Sequence, residues 1–428
     1  MRIWLILLFF VCLPQFIFAN QQFCPFKASS VSAFLMDAET GKILYSQNPN
    51  FRIQPASLTK VMTLFLIFDA LDQKAIQKDE KVFISKKAAQ TGGSKMYLRE
   101  GKNVPLSELI KGIAVVSGND ACVAVAEGLY KSEQIFMEKM NQKVDNLKIQ
   151  NTKFQTVDGW PAPDQYTTAY DMAIIAQAYI REHPEALQYH NLKEFSHNNI
   201  LLHNRNGLIL QDPSIDGLKT GHVEDAGYHL VATAKRENRR LIAIIMGAKS
   251  TKIREIETMQ LLNFGFSNFL TVKLFNKGDV LSHISVLKGT KDQVGLKSQE
   301  DGIVTINITQ KEHVSFSIKA NDQYEAPIQI NQKLGHAIIS DQKNILKTIP
   351  LYANEEIQRA DFKKIALQTS EYIISKHKVS LIIVFLIIFI FGLQAWRIRR
   401  LQKQIKRIDN HGDDIVKERL KKIIKTIK

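Results

Sequence analysis

Two side chains of this 428-residue chain could together perform acyl transfer: Ser57 and Lys60, in Ala56-Ser57-Leu58-Thr59-Lys60. A serine hydroxyl is a poor nucleophile until a base takes its proton. A lysine amine can be that base when burial or a nearby cation lowers its pKa. Pro55 ends an extended segment, and Val61, Met62 and Leu64 to Phe68 then read as a helix buried on most sides. Positions i and i+3 share a helix face, so Ser57 and Lys60 are expected side by side at its N-terminal end. The same residues also read as an N-cap serine followed by an ordinary lysine. Ser-x-x-Lys is common here, recurring at Ser285/Lys288, Ser340/Lys343 and Ser375/Lys378.

Order along the chain separates the two readings. Ser-x-Asn occurs at Ser46/Asn48, Ser117/Asn119 and Ser196/Asn198, and Lys-Thr-Gly once, at Lys219-Thr220-Gly221. Ser57 is the one Ser-x-x-Lys serine followed by a Ser-x-Asn and then by Lys-Thr-Gly, at domain-sized intervals.

The elements that must position these residues follow from periodicity. Val31–Leu35 and Ile43–Tyr45 read as a hairpin around Asp37–Gly41. Ser107–Ile113 and Asp120–Leu129 read as helices broken at Gly118, which would aim Ser117 and Asn119 into a cleft; simple helix capping is the alternative. Ile135–Val144 reads as an amphipathic helix, Gln155–Gln165 as a long loop, and Thr168 with Asp171 as a capping box opening another helix. Tyr228–Ala234 and Leu241–Met246 read as paired strands at a sheet edge. Lys219 is expected as an exposed cation beside the cleft, and Gly221 as a place where something approaches the strand. Ile253–Phe269 reads as a closing helix packing through Ile256, Met259, Leu262 and Phe266.

The pattern changes near Leu270. Short runs at Val280–Val286, Gly302–Ile308, Val314–Ile318 and Ala326–Ile330, with turns that include Gly335, indicate a small all-β domain. Asn354–Lys378 reads as a helical stalk. Val379–Trp396, flanked by Lys376 and Lys378 on one side and Arg397, Arg399 and Arg400 on the other, reads as a membrane-spanning helix with its tail inside the cell. The tail's end, Val416 to Ile427, reads as a basic amphipathic helix on the inner leaflet.

Composition fits this plan. Hydrophobic residues make up 45% of the chain, enough for a substantial core. The formal charge of +15 is concentrated at the C-terminus, where Arg397 to Lys428 holds 12 Lys or Arg against 4 Asp or Glu, a surplus of 8. The basic balance therefore marks a tail and gives no ground for a nucleic-acid partner. Arg2 and the apolar Ile3–Leu13 read as a signal peptide cut after Ala19, with an uncleaved anchor as the alternative. Cleavage would leave Cys24 and Cys122. Cys122 reads as a buried core residue, and there is no disulfide framework or zinc spacing, so no cofactor or metal is expected.

The three motifs in this order resemble those of penicillin-binding proteins and class A β-lactamases. The stretches Pro55–Lys60, Ser117–Ala124, Asn151–Thr156 and Asp216–His222 resemble the D-alanyl-D-alanine carboxypeptidases of low molecular mass, over roughly Ser32 to Phe269. The resemblance implies an α/β mixed serine-acyltransferase fold of the β-lactamase/transpeptidase type, with a mixed sheet and a helical subdomain. A small all-β sandwich and a C-terminal transmembrane helix would follow. The expected organisation is a signal peptide over 1–19, a catalytic domain over 24–270 and a β-rich domain over 271–352. A helical stalk over 353–377, a transmembrane helix over 378–396 and a basic cytoplasmic tail over 397–428 complete it.

The resemblance also implies roles. Ser57 would be the acylated nucleophile, Lys60 its base, kept neutral with help from Lys219, and Ser117 a proton shuttle. Asn119 would hold the peptide, and Lys219 with Thr220 would bind its terminal carboxylate. Gly221, His222 and Arg254 lie at positions near the family's cleft. The substrate would be the peptidoglycan stem peptide, with β-lactams as inhibitors and the inner membrane as the anchoring surface; a homodimer is compatible with the sequence. The departure from the family is the C-terminus, which crosses the membrane where familiar members end in a short surface helix. A D,D-endopeptidase, a β-lactamase and a catalytically silent wall-binding protein are the competing readings.

Overall fold

The strand Ser32–Asp37 (β1) is buried along its whole length, because its two faces feed two different cores. Phe34 and Met36 join one core, while Ala33 and Leu35 join the other. Alternation of side chains across a strand makes this division, and burial on both faces removes the polar half of the pattern. A computed structural model describes residues 27–342, 344–408 and 414–427. The expected signal segment and Cys24 lie outside the described residues.

The chain forms two units, one running through Val272 with Ile303–His313, the other comprising Lys273–Gly302 and the chain from Val314 onward. In the first, β1 pairs antiparallel with Ile43–Gln47 (β2). The turn between them is held by Asp37 Oδ1, which accepts from the amides of Glu39 and Thr40 at 3.0 Å each. A 3-10 turn at Ala56–Leu58 leads into α1 (Thr59–Asp72), of whose residues Lys60 and ten others are buried. Next come β3 (Lys81–Phe83), α2 (Lys86–Gln90), β4 (Asn103–Pro105), α3 (Leu106–Val115), α4 (Asn119–Tyr130), α5 (Glu133–Asn146) and α6 (Ala169–Glu182). Thr168 caps α6 by accepting from the Asp171 amide, but Asp171 does not complete a reciprocal box. Its Oδ2 instead takes the Asn151 amide and the Thr152 hydroxyl, tying down the preceding loop.

After α7 (Leu187–His190), β5 (Glu194–His197), β6 (Ile200–His203) and α8 (Leu208–Gln211), the chain enters β7 (Ile215–Val223), β8 (Gly227–Arg236) and β9 (Arg239–Ala248). The sheet order is β2-β1-β9-β8-β7. This corrects the expected edge: β8 and β9 are interior, and the edge strand is β7, which carries Lys-Thr-Gly within it. The apolar runs were the signal for interior strands, since only strands covered on both faces lose their polar alternation. Helix α9 (Thr251–Asn268) covers the face formed by Leu241, Ala243 and Ile245. Leu262 is buried there and Met259 and Phe266 pack against the same core, as expected, but Ile256 is exposed; Arg254, Glu257, Thr258, Leu261, Phe264 and Gly265 are also buried.

The second unit is built on β strands. Strand β10 (Phe269–Phe275) leads into it, followed by β11 (Val280–Leu287) and β12 (Gln293–Ser298); β13 (Gly302–Asn307) belongs to the first unit from Ile303 on, and β14 (Ser315–Ala320), β15 (Gln323–Glu325), β16 (Lys333–Ser340) and β17 (Ile345–Ala353) complete the strands of the second. Six of them form one sheet in the order β14-β16-β17-β12-β11-β15. Two expectations change here. Gly335 is inside β16 and not in a turn: a Cβ there would stand 2.9 Å from that of Ala320 on the neighbouring strand, so glycine serves a close approach. The expected stalk does not begin at Asn354, because Ile357 is fully buried and exchanges amide hydrogen bonds with Ile328. The helix α10 starts at Phe362 and continues without a break to Ile408. Within it, Ile382–Lys406 is long and apolar enough to cross a membrane. Helix α11 covers Asp414–Ile427.

Candidate active site

Ser57 sits in the middle of the 3-10 turn and Lys60 in the first turn of α1. In a 3-10 turn side chains three apart eclipse, which brings the pair closer than an α-helix would. Lys60 Nζ lies 2.9 Å from Ser57 Oγ. It also reaches Asn119 Oδ1 at 2.7 Å and the backbone carbonyl of Asp158. Lys60 is fully buried, and burial is the leading cause that lowers its pKa. Nearby Cys122, Asp158 and Asp120 oppose that shift.

Lys219 has its pKa pushed well below the lysine range by burial and then by repulsion from Lys60, Arg205 and Arg254, and the repulsion between the two lysines disfavours the charged form of both. Lys219 is therefore not the exposed cation expected from sequence; it is 2% exposed on β7, with Nζ donating to the Thr220 carbonyl at 3.0 Å. The cause is the packing of β7 beneath the Ser57 turn. A Cβ on Gly221 would stand 3.2 Å from the Pro55 carbonyl oxygen and 3.3 Å from Ala56 Cβ. The missing side chain lets the edge strand press against the nucleophile turn.

The Ser-x-Asn motif spans the junction of α3 and α4. Ser117 is buried in a left-handed conformation with φ of 65°, and its Oγ has no hydrogen-bond partner among the described residues. A non-glycine residue held there costs about 1–3 kcal/mol, so its surroundings must impose it. Asn119 is fixed at both ends of its amide: Oδ1 on Lys60 and Nδ2 on the Gly92 carbonyl at 2.9 Å. Its backbone amide donates to the Ser94 carbonyl at 2.7 Å. The Thr91–Ser94 turn is thus part of the cleft wall.

The remaining predicted residues are more peripheral. Thr220 is buried beside Lys219. His222 is exposed and stacks on Tyr228, with ring centroids 4.1 Å apart. Arg254 is buried on α9, its Nε without a partner among the described residues and its Nη2 3.3 Å from Glu255 Oε1. Cys122 is buried and free, and burial pushes its thiol up to about 12, so it has no thiolate to offer near neutrality.

Four contributors were not singled out from sequence. Asp158 acts through its carbonyl, which any residue could supply. Gly159 has φ of 85°, and a Cβ would collide with the Ala56 carbonyl at 1.9 Å; a glycine in a long loop was its only signal. Asp120 accepts from the amides of Met96 and Leu98 and from Ala121, fixing the wall from below. Arg205 adds a cation near Lys219 from a segment with no motif.

Comparison with known proteins gives one consistent result. Residues 19–250 match the family profile described as D-alanyl-D-alanine carboxypeptidase, and residues 269–359 match the penicillin-binding protein 5 C-terminal domain. A D-alanyl-D-alanine carboxypeptidase of Bacillus subtilis is 37% identical over 77% of this chain and 86% of its own length. One of Escherichia coli is 38% identical over 77% of this chain and 84% of its own. Among solved structures, penicillin-binding protein 5 of Haemophilus influenzae superposes with a TM-score of 0.75 at 36% identity, covering 78% of this chain and 99% of that one. Penicillin-binding protein D2 of Listeria monocytogenes, solved with ampicillin bound, has a TM-score of 0.52 at 27% identity over 56% of this chain and 98% of its own.

Proposed function

This chain belongs to the D-alanyl-D-alanine carboxypeptidase family of serine hydrolases, and we propose that it removes the terminal D-alanine of peptidoglycan stem peptides through an acyl-enzyme on Ser57. The observation that carries this reading is the 2.9 Å contact between Ser57 Oγ and a fully buried Lys60. A neutral amine has two N–H donors and one lone pair. The Asn119 and Asp158 carbonyl oxygens can only accept, so they take the two donors. The lone pair is left facing the Ser57 hydroxyl, the one partner of the three that can donate.

Lys60 Nζ takes the hydroxyl proton as Ser57 Oγ bonds to the carbonyl carbon of the penultimate D-alanine. The Ser57 amide, at the start of the α1 segment, serves as an oxyanion donor. The C–N bond to the terminal D-alanine then breaks, and its nitrogen receives the proton by way of Ser117, whose buried hydroxyl has capacity to spare. Water hydrolyses the ester and frees Ser57. Asn119 orients the peptide. Lys219, with Arg205 and Arg254 behind it, attracts the terminal carboxylate, and the arriving anion offsets the burial that disfavours its ammonium form. Thr220 assists beside it, while Gly221, His222 and Arg254 shape and flank the carboxylate end.

The full-length protein in detergent should release free D-alanine from pentapeptide muropeptides, leave cross-linked dimers intact, and hold benzylpenicillin as a long-lived adduct. Cleavage of cross-linked dimers in place of D-alanine release would make it an endopeptidase. Rapid penicillin turnover would make it a β-lactamase, and no reaction at all would leave a silent wall-binding protein.

We also place the apolar stretch of α10 up to Trp396 across the cytoplasmic membrane, with the catalytic unit outside and the tail inside, from the Arg397–Arg400 cluster at its C-terminal side. Protease added to intact spheroplasts should digest the catalytic unit and spare a C-terminal epitope; loss of the epitope instead would reverse the orientation.

A further inference from the structure

The far end of α1 from the catalytic pair carries a second cluster. Asp69 and Asp72 lie in the last turn of α1, while His183 caps α6 and Glu185 lies in the 3-10 turn after it. His183 is 3% exposed. Its ring is fixed edge-on to Phe65, with centroids 5.5 Å apart, and tilted against Phe68 at 5.8 Å. Nε2 lies 2.8 Å from Asp69 Oδ1. Asp69 is in turn held by Lys143, 2.9 Å from its Oδ2. A carboxylate so placed holds the proton on Nε2, so Nδ1 is the ring position open to a second proton or to a metal ion.

That Nδ1 is buried and makes no hydrogen bond, although Asp72 Oδ2 is 3.0 Å away and Glu185 Oε1 4.0 Å. A nitrogen lone pair facing two carboxylates is repulsive unless a proton or a metal ion stands between them, and Nδ1 lacks hydrogen-bonding geometry to either carboxylate. The three ligand atoms lie within 4.8 Å of one another. Ligands of a tetrahedral zinc ion stand about 3.3 Å apart at ordinary bond lengths, so modest side-chain adjustment closes the site. Among the described residues, no lysine or arginine pairs with Asp72 or Glu185, whereas Asp69 and Glu182 already share Lys143. Two carboxylates and a neutral imidazole carry two negative charges, which a divalent cation balances. The cluster also lies at the C-terminal ends of α1 and α6, where the helix dipoles favour positive charge. Asp72 and Glu185 are 60% and 42% exposed at their side chains, so the ion can enter from solvent.

We propose that His183 Nδ1, Asp72 and Glu185 bind a divalent transition cation of the zinc class, with Asp69 orienting the imidazole from behind. Mixed nitrogen and carboxylate ligands suit zinc better than magnesium or calcium, which prefer oxygen alone. The ion would staple the end of α1 to the end of α6. It is separate from the chemistry at Ser57, so the proposal does not depend on the reaction assigned there.

The test uses untagged full-length protein in detergent, stripped with a chelator and titrated with zinc chloride by calorimetry, with melting followed in parallel. The wild type should bind one ion per chain and melt higher with zinc, as expected when a ligand binds only the folded state. The Asp72→Asn/Glu185→Gln double variant, altered only at exposed positions, should bind at least about 100-fold more weakly and lose the melting shift. Penicillin acylation should be the same in both proteins. No saturable binding by the wild type would leave Nδ1 to a proton shared with Asp72 and overturn the proposal. Equal affinity in the double variant would place the ion elsewhere and overturn it as well.

Discussion

Ser57→Ala is expected to abolish both penicillin acylation and D-alanine release while leaving the protein folded. The ester oxygen of the proposed intermediate is Ser57 Oγ, and alanine has no atom to replace it. Loss of a nucleophile that works as a unit with its base reaches on the order of 10⁶ in kcat. The structural cost is small by comparison. Ser57 is half-buried, and its hydroxyl contact is with Lys60 Nζ, which keeps Asn119 Oδ1 and the Asp158 carbonyl as partners. The stability change should therefore stay within about 1 kcal/mol, the net worth of one hydrogen bond. Intact mass before and after benzylpenicillin reads the chemistry, and a denaturant melt reads the fold. A penicillin adduct on Ser57→Ala would remove Ser57 from the reaction.

The pair at Ser57 and Lys60 was legible because one helical turn converts a spacing of three into contact, and that conversion is local. The strands β1, β2, β8 and β9 were legible for the same reason: alternation or an unbroken apolar run is written in consecutive residues. What long-range packing decides was not. Lys219 reads as exposed because lysines usually are, and only the pressing of β7 against Pro55 and Ala56 buries it. Gly335 reads as a turn, yet it makes room for Ala320 on another strand. Asp158 contributes a carbonyl, which no side-chain pattern announces. The cluster around His183 joins the ends of α1 and α6, over 110 residues apart in the chain, and neither end carries a recognisable spacing. Resemblance supplied what periodicity could not: an order for the three motifs and a common chemistry for them.

Replacing Lys60 separates its charge from its basicity. Lys60→Arg keeps a cation in place, but a guanidinium does not deprotonate in proteins. Lys60→Met keeps the length of the side chain and removes the amine. If Lys60 served only as a charge, the arginine variant would remain active. As the general base, its loss should slow acylation by about 10²–10⁴-fold in both variants. The pH dependence gives an independent reading. Burial lowers the Lys60 pKa from the usual lysine range, so the amine carries its proton at low pH and cannot take another. The wild-type acylation rate should rise as pH climbs toward that lowered pKa and level off above it. The residual rate of Lys60→Met should lack this rising limb, because among the described residues no other side chain hydrogen-bonds the Ser57 hydroxyl. A rising limb that survives the substitution would assign the base to a different residue. The burial that lowers the pKa of this lysine would then serve only to position Asn119 and the Asp158 loop, through the two carbonyl oxygens it already holds.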